Sequence, residues 1–105
     1  MDLQELAASV ERVSRRYAST VGIERTCDWQ ILKSQEEVGE LTQAHLMRKD
    51  RPDRRDTPPA ELDEKLTDEI ADGLCHALLL AEHHQVDLPA AISRKWLSRV
   101  GTADT

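Results

Sequence analysis

Acidic residues recur at a three-residue spacing in two separate stretches of this chain. The first stretch contains Glu36, Glu37 and Glu40, and the second contains Glu69 and Asp72. Three residues of an α-helix advance it by about 300°, so the two members of each spaced pair would share a face. Two antiparallel helices of this kind can bring four carboxylates into one cluster. Hard oxygen ligands of this type suit Mg²⁺ or Mn²⁺ better than zinc or copper.

Two other interpretations of these acids are open. They could form an ordinary acidic face in solvent, where like charges at this spacing repel by a few tenths of a kcal/mol per pair. A di-iron bundle would instead need Glu-x-x-His pairs. That motif is missing, because Glu37 and Glu82 are followed three residues later by Glu40 and Gln85. An oxygen-only cage with open coordination positions favours a phosphate-bearing ligand.

Asp72 has the most apolar sequence surroundings of these acids. It lies in the run from Ile70 to Ala81, which is apolar nearly all round, so the sequence predicts that Asp72 is buried. A buried, unpaired carboxylate costs several kcal/mol unless it is neutralised, paired or bound to a cation. No Lys or Arg lies within one turn of it on the same stretch. Its partner is therefore expected to be a metal or a residue of another helix.

Two glycines stand beside the acids inside predicted helices. Gly39 and Gly73 should each cost on the order of 1 kcal/mol relative to alanine. Close approach of another helix or of a ligand would account for them. Loose helix packing is the alternative.

Hydrophobic periodicity predicts helices through nearly the whole chain. We expect a first helix ending before Gly22, a second over about 29–49, a third from Pro58-Pro59 to about 85, and a fourth from Asp87 through Val100. The side chains predicted to face inward on the first three helices are Leu3, Leu6, Val10, Val13, Tyr17, Ile31, Val38, Leu41, Ala44, Leu62, Leu66, Ile70, Leu74, Ala77 and Ala81. The predicted fold class is all-α, a four-helix bundle-like domain over 1–100 with a flexible tail at 101–105.

Composition narrows the function classes. The chain has 105 residues, 14 Lys and Arg against 20 Asp and Glu, and a net charge of −6, which argues against a general nucleic-acid binder. The longest apolar run is too short for a membrane span, which needs about 20 residues. No secretory signal is visible, and two cysteines fit a reduced chain better than a disulfide scaffold, so we expect a cytoplasmic protein.

The aromatic content bears on assembly. Tyr17, Trp29 and Trp96 are the only aromatic residues among 105, so the core of a single subunit is expected to be thin. A subunit interface would enlarge it, with Trp96 among the side chains that fill it. We therefore expect a homodimer or a homotetramer.

The two acidic stretches, taken together, resemble a known family. The sequence Glu36-Glu37-x-x-Glu40, 28 further residues, and then Glu69-x-x-Asp72 is similar to the EExxE…ExxD signature of MazG-like all-α nucleoside triphosphate pyrophosphohydrolases. A tryptophan ahead of the first motif and a Val-Asp-Leu turn ahead of the last helix extend the resemblance over about 29–99. The paired motifs at this distance are fairly specific to the family.

This resemblance implies a reaction and a set of roles. Members of the family cleave a nucleoside triphosphate between the α- and β-phosphates, giving a monophosphate and pyrophosphate, commonly to clear unwanted nucleotides. By resemblance, Glu37, Glu40, Glu69 and Asp72 would hold Mg²⁺, for which Mn²⁺ can substitute. Glu36 would orient or deprotonate the attacking water.

The resemblance also implies contacts to the rest of the nucleotide. Lys95 is similar to the family's phosphate-facing lysine, and Arg99 is a second candidate for the phosphates. Trp29 could stack on the base, or it could be a core tryptophan. The basic residues Arg48, Lys49, Arg51, Arg54 and Arg55 could close over a triphosphate, or they could form a solvated loop.

Two other functions remain open on the sequence. Phosphoribosyl-ATP pyrophosphohydrolases share the run that contains Asp72 and His76. A non-catalytic helical module that binds nucleotide, or only assembles, would keep the acids as a cation site. His45 and His76 are predicted to face inward, as hydrogen-bonded core histidines rather than metal ligands.

Overall fold

The computed structural model describes residues 1–50 and 57–99, apart from the side chain at position 50. Its elements are α1 (Leu3–Val21), α2 (Cys27–Asp50), α3 (Pro59–His83) and α4 (Leu88–Lys95), followed by a short 3-10 helix, Leu97–Arg99. The described residues contain no strand, so the all-α prediction is confirmed. No helix among them has the length and apolar character that a membrane crossing requires. The predictions on Arg51, Arg54, Arg55, Val100 and 101–105 lie outside the described residues.

The helix starts are set by capping side chains that the sequence shows directly. The Asp2 carboxylate accepts the backbone N–H of Glu5 at 2.8 Å, and Asp87 accepts that of Ala90 at 3.1 Å. Thr26 does the same for α2, where its hydroxyl accepts the N–H of Trp29 at 3.0 Å. Each cap satisfies a backbone donor that has no partner within the helix.

The helix ends differ from prediction in two places. α1 ends as expected at Gly22, whose φ of 76° is the left-handed conformation that glycine adopts most easily. α3 ends at His83 rather than near 85, and Gln85 takes a positive φ of 54° in the turn that follows. α4 ends at Lys95, and the chain tightens there into the 3-10 helix instead of continuing as an α-helix.

The sequence predicts one domain over 1–100, and the structure groups the chain into two compact units. The first comprises Met1–Glu24 and Leu78–Thr105, and the second comprises Arg25–Ala77. The buried side chains of the first unit are small or aliphatic: Ala7, Ala18, Leu78, Leu79 and Ala81. Val13 and Tyr17 were expected in the buried face of α1, but they are 70% and 61% exposed.

In the second unit, α2 and α3 run antiparallel. Gln30, near the start of α2, contacts His76, near the end of α3. Arg48, near the end of α2, forms an ion pair with Asp63, near the start of α3. Contacts between opposite ends of the two helices require opposite directions, as the acidic motifs led us to expect.

The buried line between these two helices is more polar than the sequence predicts. On α2 it consists of Gln30, Glu37 and Ala44, spaced by seven residues, and on α3 it includes Leu62 and Glu69. A seven-residue step is nearly two full turns, so each series keeps to one side of its helix. We call this line the α2–α3 seam.

Several apolar residues predicted to face inward lie outside the seam. Ile31, Val38, Ile70 and Leu74 are each half-exposed, between 50% and 55%. These residues do form an apolar stripe, but the stripe lies beside the seam, and no described residue covers it. The inward predictions for Ala44, Leu62 and Ala81 are confirmed.

Candidate metal centre

Three carboxylates from the two helices converge at the seam. One carboxylate oxygen each from Glu37, Glu40 and Glu69 can be chosen so that all lie within 4.8 Å of one another. Glu37 and Glu40 come from successive turns of α2, and Glu69 comes from α3. Glu37 is 8% exposed and Glu69 is 7% exposed. We refer to these residues as the three-carboxylate cluster.

Two oxygens of the cluster have no hydrogen-bond donor among the described residues. They are Oε2 of Glu37 and Oε2 of Glu69, and both are buried. A buried carboxylate oxygen without a donor or a cation is unfavourable, because it has lost its hydration without replacement. Oxygen ligands of this kind are those that Mg²⁺ and Mn²⁺ prefer. The cluster therefore fits a small divalent cation.

The burial and charged neighbours of Glu37 also suit a bound cation. Burial raises the pKa of the Glu37 carboxyl above its ordinary value of 4.5, and repulsion from Glu40 and Asp72 raises it further. The Lys33 ammonium acts in the opposite sense, but it does not cancel these effects. A divalent cation would favour the charged form that burial and neighbouring acids disfavour.

Two lysines beside the cluster were missed in the sequence analysis. The Lys33 ammonium lies 3.8 Å from Oε1 of Glu37 and 3.5 Å from Oε2 of Glu36. The Lys65 ammonium lies 3.2 Å from Oε1 of Glu69. A usable signal was present, since each lysine precedes its clustered glutamate by four residues, the spacing of an ion pair along a helix.

Asp72 is outside this group of oxygens. The prediction that it is buried is wrong for the single chain, in which its side chain is exposed. The apolar run around it has no cover on that side among the described residues, so apolar neighbours in sequence do not bury it. Burial raises the pKa of Glu37 and of Cys75, and the charge of Asp72 is close enough to raise both further.

Neither helical glycine is closely approached by another described part of the chain. A Cβ added at Gly39 would meet no described atom within 4 Å, and at Gly73 it would meet only Cδ2 of Leu41 at 4.0 Å. The approach expected at Gly39 is therefore absent from the described part of the chain. At Gly73 the contact is an ordinary van der Waals one.

Glu36 lies next to the cluster and does not belong to it. Its side chain is exposed, and Lys33 pairs with it. A carboxylate in this position is accessible to water and adjacent to Glu37 in sequence.

His76 and Gln30 form a polar contact across the seam. The amide nitrogen of Gln30, which is completely buried, lies 3.0 Å from Nδ1 of His76. Nε2 of His76 lies 3.8 Å from Oε1 of Glu37. His76 is thus a hydrogen-bonded histidine, as predicted, and burial lowers its pKa. Gln30 was missed, although its seven-residue distance from Glu37 places both on one side of α2.

No protein-family model, curated protein or solved structure matches this chain.

The nucleotide contacts named from the sequence lie away from the cluster along the chain. Trp29 is partly buried in the first turn of α2, about 12 Å along the helix axis from Glu37. Lys95 is the last residue of α4, and Arg99 closes the 3-10 helix; both are exposed and belong to the first compact unit. Their roles at a phosphate or a base remain predictions.

An apolar groove of about 410 Å³ lies elsewhere on α2 and α3. It is lined by Leu41, Thr42, His45, Leu66 and Ile70. Thr42 follows Glu40 by two residues, which turns the helix by about 200°. The groove and Glu40 therefore lie on opposite sides of α2. His45 is exposed in this groove, which corrects the prediction that it faces inward.

Proposed function

We propose that this protein is a metal-dependent nucleoside triphosphate pyrophosphohydrolase of the MazG-like kind. It would cleave ribo- or deoxyribonucleoside triphosphates between the α- and β-phosphates, releasing a monophosphate and pyrophosphate. The observation that carries the proposal is the three-carboxylate cluster, in which two buried oxygens lack a donor. The spacing of the acids along α2 and α3, which resembles the family signature, supports it.

The resemblance implies the roles, and the positions of the side chains are compatible with them. Glu37, Glu40 and Glu69 would hold Mg²⁺ or Mn²⁺, and Asp72 would add a fourth carboxylate from the flank of α3. The cation neutralises phosphate charge and helps to activate water when it is bound. Glu36, exposed beside Glu37, would accept the proton of the attacking water as the water oxygen bonds to phosphorus. The P–O bond that bridges the α- and β-phosphates breaks, and the monophosphate and pyrophosphate separate. The Lys33 ammonium lies 3.5 Å from the Glu36 carboxylate.

An acidic protein needs positive charge to hold a triphosphate. Lys33 and Lys65 lie at the cluster itself, within 3.8 Å and 3.2 Å of its glutamates. We infer that these lysines contact phosphate oxygens once the cation has taken the carboxylates. Lys95 and Arg99 remain further candidates for the distal phosphates, and Trp29 for the base.

The cellular setting follows from the same resemblance. We propose a cytoplasmic homodimer or homotetramer that removes non-standard or surplus nucleotides. The half-exposed apolar side chains beside the seam, including Val38 and Ile70, are available for a subunit interface.

The test is a panel of nucleotides assayed for both phosphate products. Each common NTP and dNTP, and phosphoribosyl-ATP, is incubated with the protein and Mg²⁺, and pyrophosphate is scored against orthophosphate. Pyrophosphate with a monophosphate is the expected outcome. Orthophosphate as the first product would contradict cleavage between the α- and β-phosphates.

Variants connect the activity to the cluster. Glu37→Gln should abolish turnover, because it removes the charge of a buried cluster member. Glu64→Gln is the matched control, since Glu64 is an exposed acid of α3 outside the cluster. Turnover of phosphoribosyl-ATP alone would indicate the related enzyme. Cation binding without turnover of any nucleotide would indicate a binding module.

A further inference from the structure

A fully buried glutamine lies next to the candidate metal centre. Gln30 has no exposed surface, and its amide nitrogen is 3.0 Å from Nδ1 of His76. Its amide oxygen is buried without a partner among the described residues. A buried amide is unfavourable unless it is hydrogen-bonded, so the contact with His76 is the interaction that this side chain depends on.

This contact indicates which ring nitrogen of His76 carries the hydrogen. An amide nitrogen can only donate, so Nδ1 of His76 accepts, and the hydrogen of the neutral ring lies on Nε2. Nε2 is 3.8 Å from Oε1 of Glu37. The ring therefore presents an N–H group toward one particular oxygen of a cluster member.

The two oxygens of Glu37 have different surroundings as a result. Oε1 faces both Nε2 of His76 and the ammonium of Lys33, each at 3.8 Å. Oε2 is buried and has no donor among the described residues. One oxygen thus has two nitrogen donors nearby, each beyond hydrogen-bond length, and the other has none among the described residues.

We propose that His76, held by Gln30, is a positioning residue that orients Glu37 so that Oε2 is presented to the bound cation. This inference rests on the metal site of the proposed function and adds two residues to it. At 3.8 Å the ring N–H lies beyond hydrogen-bond length from Oε1, so the hydrogen bond would form as Oε2 takes the cation. Loss of a hydrogen bond that orients a metal-ligating carboxylate typically weakens metal affinity about 10–100-fold.

The positions on the helices suit this role. Gln30 precedes Glu37 by seven residues on α2, and His76 follows Glu69 by seven residues on α3. Both pairs therefore lie along the seam, and the contact links the two helices that supply the cluster. Neither Gln30 nor His76 is needed as a ligand.

The test is Mn²⁺ affinity, measured by calorimetry without nucleotide. Gln30→Leu and His76→Leu should each bind Mn²⁺ about 10–100-fold more weakly than wild type. The double variant should lose no more than the weaker-binding single variant, because the two residues act in series. Gln43→Leu and His45→Leu are matched controls on exposed residues of α2 and should bind as wild type does.

A conservative variant separates positioning from folding. In His76→Gln the side-chain amide can still direct an N–H toward Glu37, so much of the Mn²⁺ affinity should return. Chemical denaturation of the metal-free proteins gives their stability in parallel. If the leucine variants are less stable but bind Mn²⁺ as tightly as wild type, the contact is structural only and the inference is overturned.

A spectroscopic measurement on the wild type keeps the inference testable even if a variant does not fold. The ¹⁵N shifts of the His76 ring should show the hydrogen on Nε2, with a change at Nε2 when Mg²⁺ is added. A hydrogen on Nδ1 would overturn the inference. Absence of Mn²⁺ binding by the wild type would overturn both this inference and the proposed function. Unchanged affinity in the variants, with wild-type turnover intact, would overturn the positioning role alone.

Discussion

Glu37 and Glu69 reach the α2–α3 seam from opposite helices, and each leaves one buried carboxylate oxygen without a hydrogen-bond donor among the described residues. Together with Glu40, their ligand oxygens lie within 4.8 Å of one another. Burial and repulsion from Glu40 and Asp72 disfavour the charged form of Glu37, and a bound cation would offset both effects. The following predictions test that relationship.

Removing the charge of Glu36 should separate catalysis from metal binding. Glu36→Gln should lower turnover by at least about 100-fold, as expected when a general base is lost, because Glu36 is exposed next to the cluster. Its Mn²⁺ affinity should stay close to that of wild type, since Glu36 is outside the cluster. Calorimetry with Mn²⁺ on Glu36→Gln and on Glu40→Gln measures both affinities. A loss of affinity as large as that of Glu40→Gln would make Glu36 a ligand.

Glu37 should make the metal-free protein less stable as pH rises. Its pKa is raised above 4.5 by burial and by neighbouring acids, so the folded state binds this proton more tightly than the unfolded state does. The resulting stabilisation is complete below pH 4.5 and is lost as pH rises through the folded-state pKa. The unfolding free energy of wild type should therefore fall relative to that of Glu37→Gln as pH rises above 4.5.

This pH effect is measured by urea unfolding in the presence of a chelator. The lowered pKa of His76 works in the opposite direction, because the unfolded state takes up that proton more readily and stability rises toward pH 6.5. Because Glu37 lies 3.8 Å from His76, the same comparison is repeated in a His76→Leu background, where that contribution is absent. The difference between wild type and the control Glu64→Gln should stay flat with pH. If the difference between wild type and Glu37→Gln were also independent of pH, it would contradict a raised pKa for Glu37.

Asp72 should act on the cluster through its charge. It is exposed, and its charge raises the pKa of Glu37, so Asp72→Asn should leave the metal-free protein as stable as wild type or more so. For wild type, Mg²⁺ at a hundred-fold excess over its dissociation constant should add about 2.7 kcal/mol, and Asp72→Asn should lose most of this gain. Melting curves with chelator and with Mg²⁺ provide the measurement. Equal destabilisation of Asp72→Asn in both conditions would mean that Asp72 pairs with a basic residue instead.

The exposed apolar side chains beside the seam should be covered by a second copy of the chain. Val38 is 55% exposed and Ile70 is 54% exposed, on adjacent helices of one compact unit. The apparent melting temperature should therefore rise with protein concentration, and sedimentation should show a dimer or a tetramer. Val38→Lys and Ile70→Lys should shift the protein toward monomer, whereas Leu32→Lys, on another side of α2, should not. A well-folded wild-type monomer at micromolar concentration would contradict this.

Local features of the sequence were sufficient to predict the helices. Asp2, Thr26 and Asp87 cap helices because their side chains accept a backbone N–H three residues ahead, an interaction that needs no distant partner. The pairing of Glu37 with Glu40 likewise follows from helical geometry alone. These properties depend on neighbours within one turn, and the sequence determines them by itself.

The tertiary structure decided which of those side chains meet. The apolar run around Asp72 predicted that it is buried, yet Glu69 enters the cluster and Asp72 is exposed. The sequence also could not show that Gln30 would be completely buried while Val38 would stay half-exposed. Burial depends on the rotation of α2 against α3, which is set by contacts between residues more than 40 positions apart, such as Gln30 with His76. Such contacts have no trace in local periodicity, and so only the folded chain reveals them.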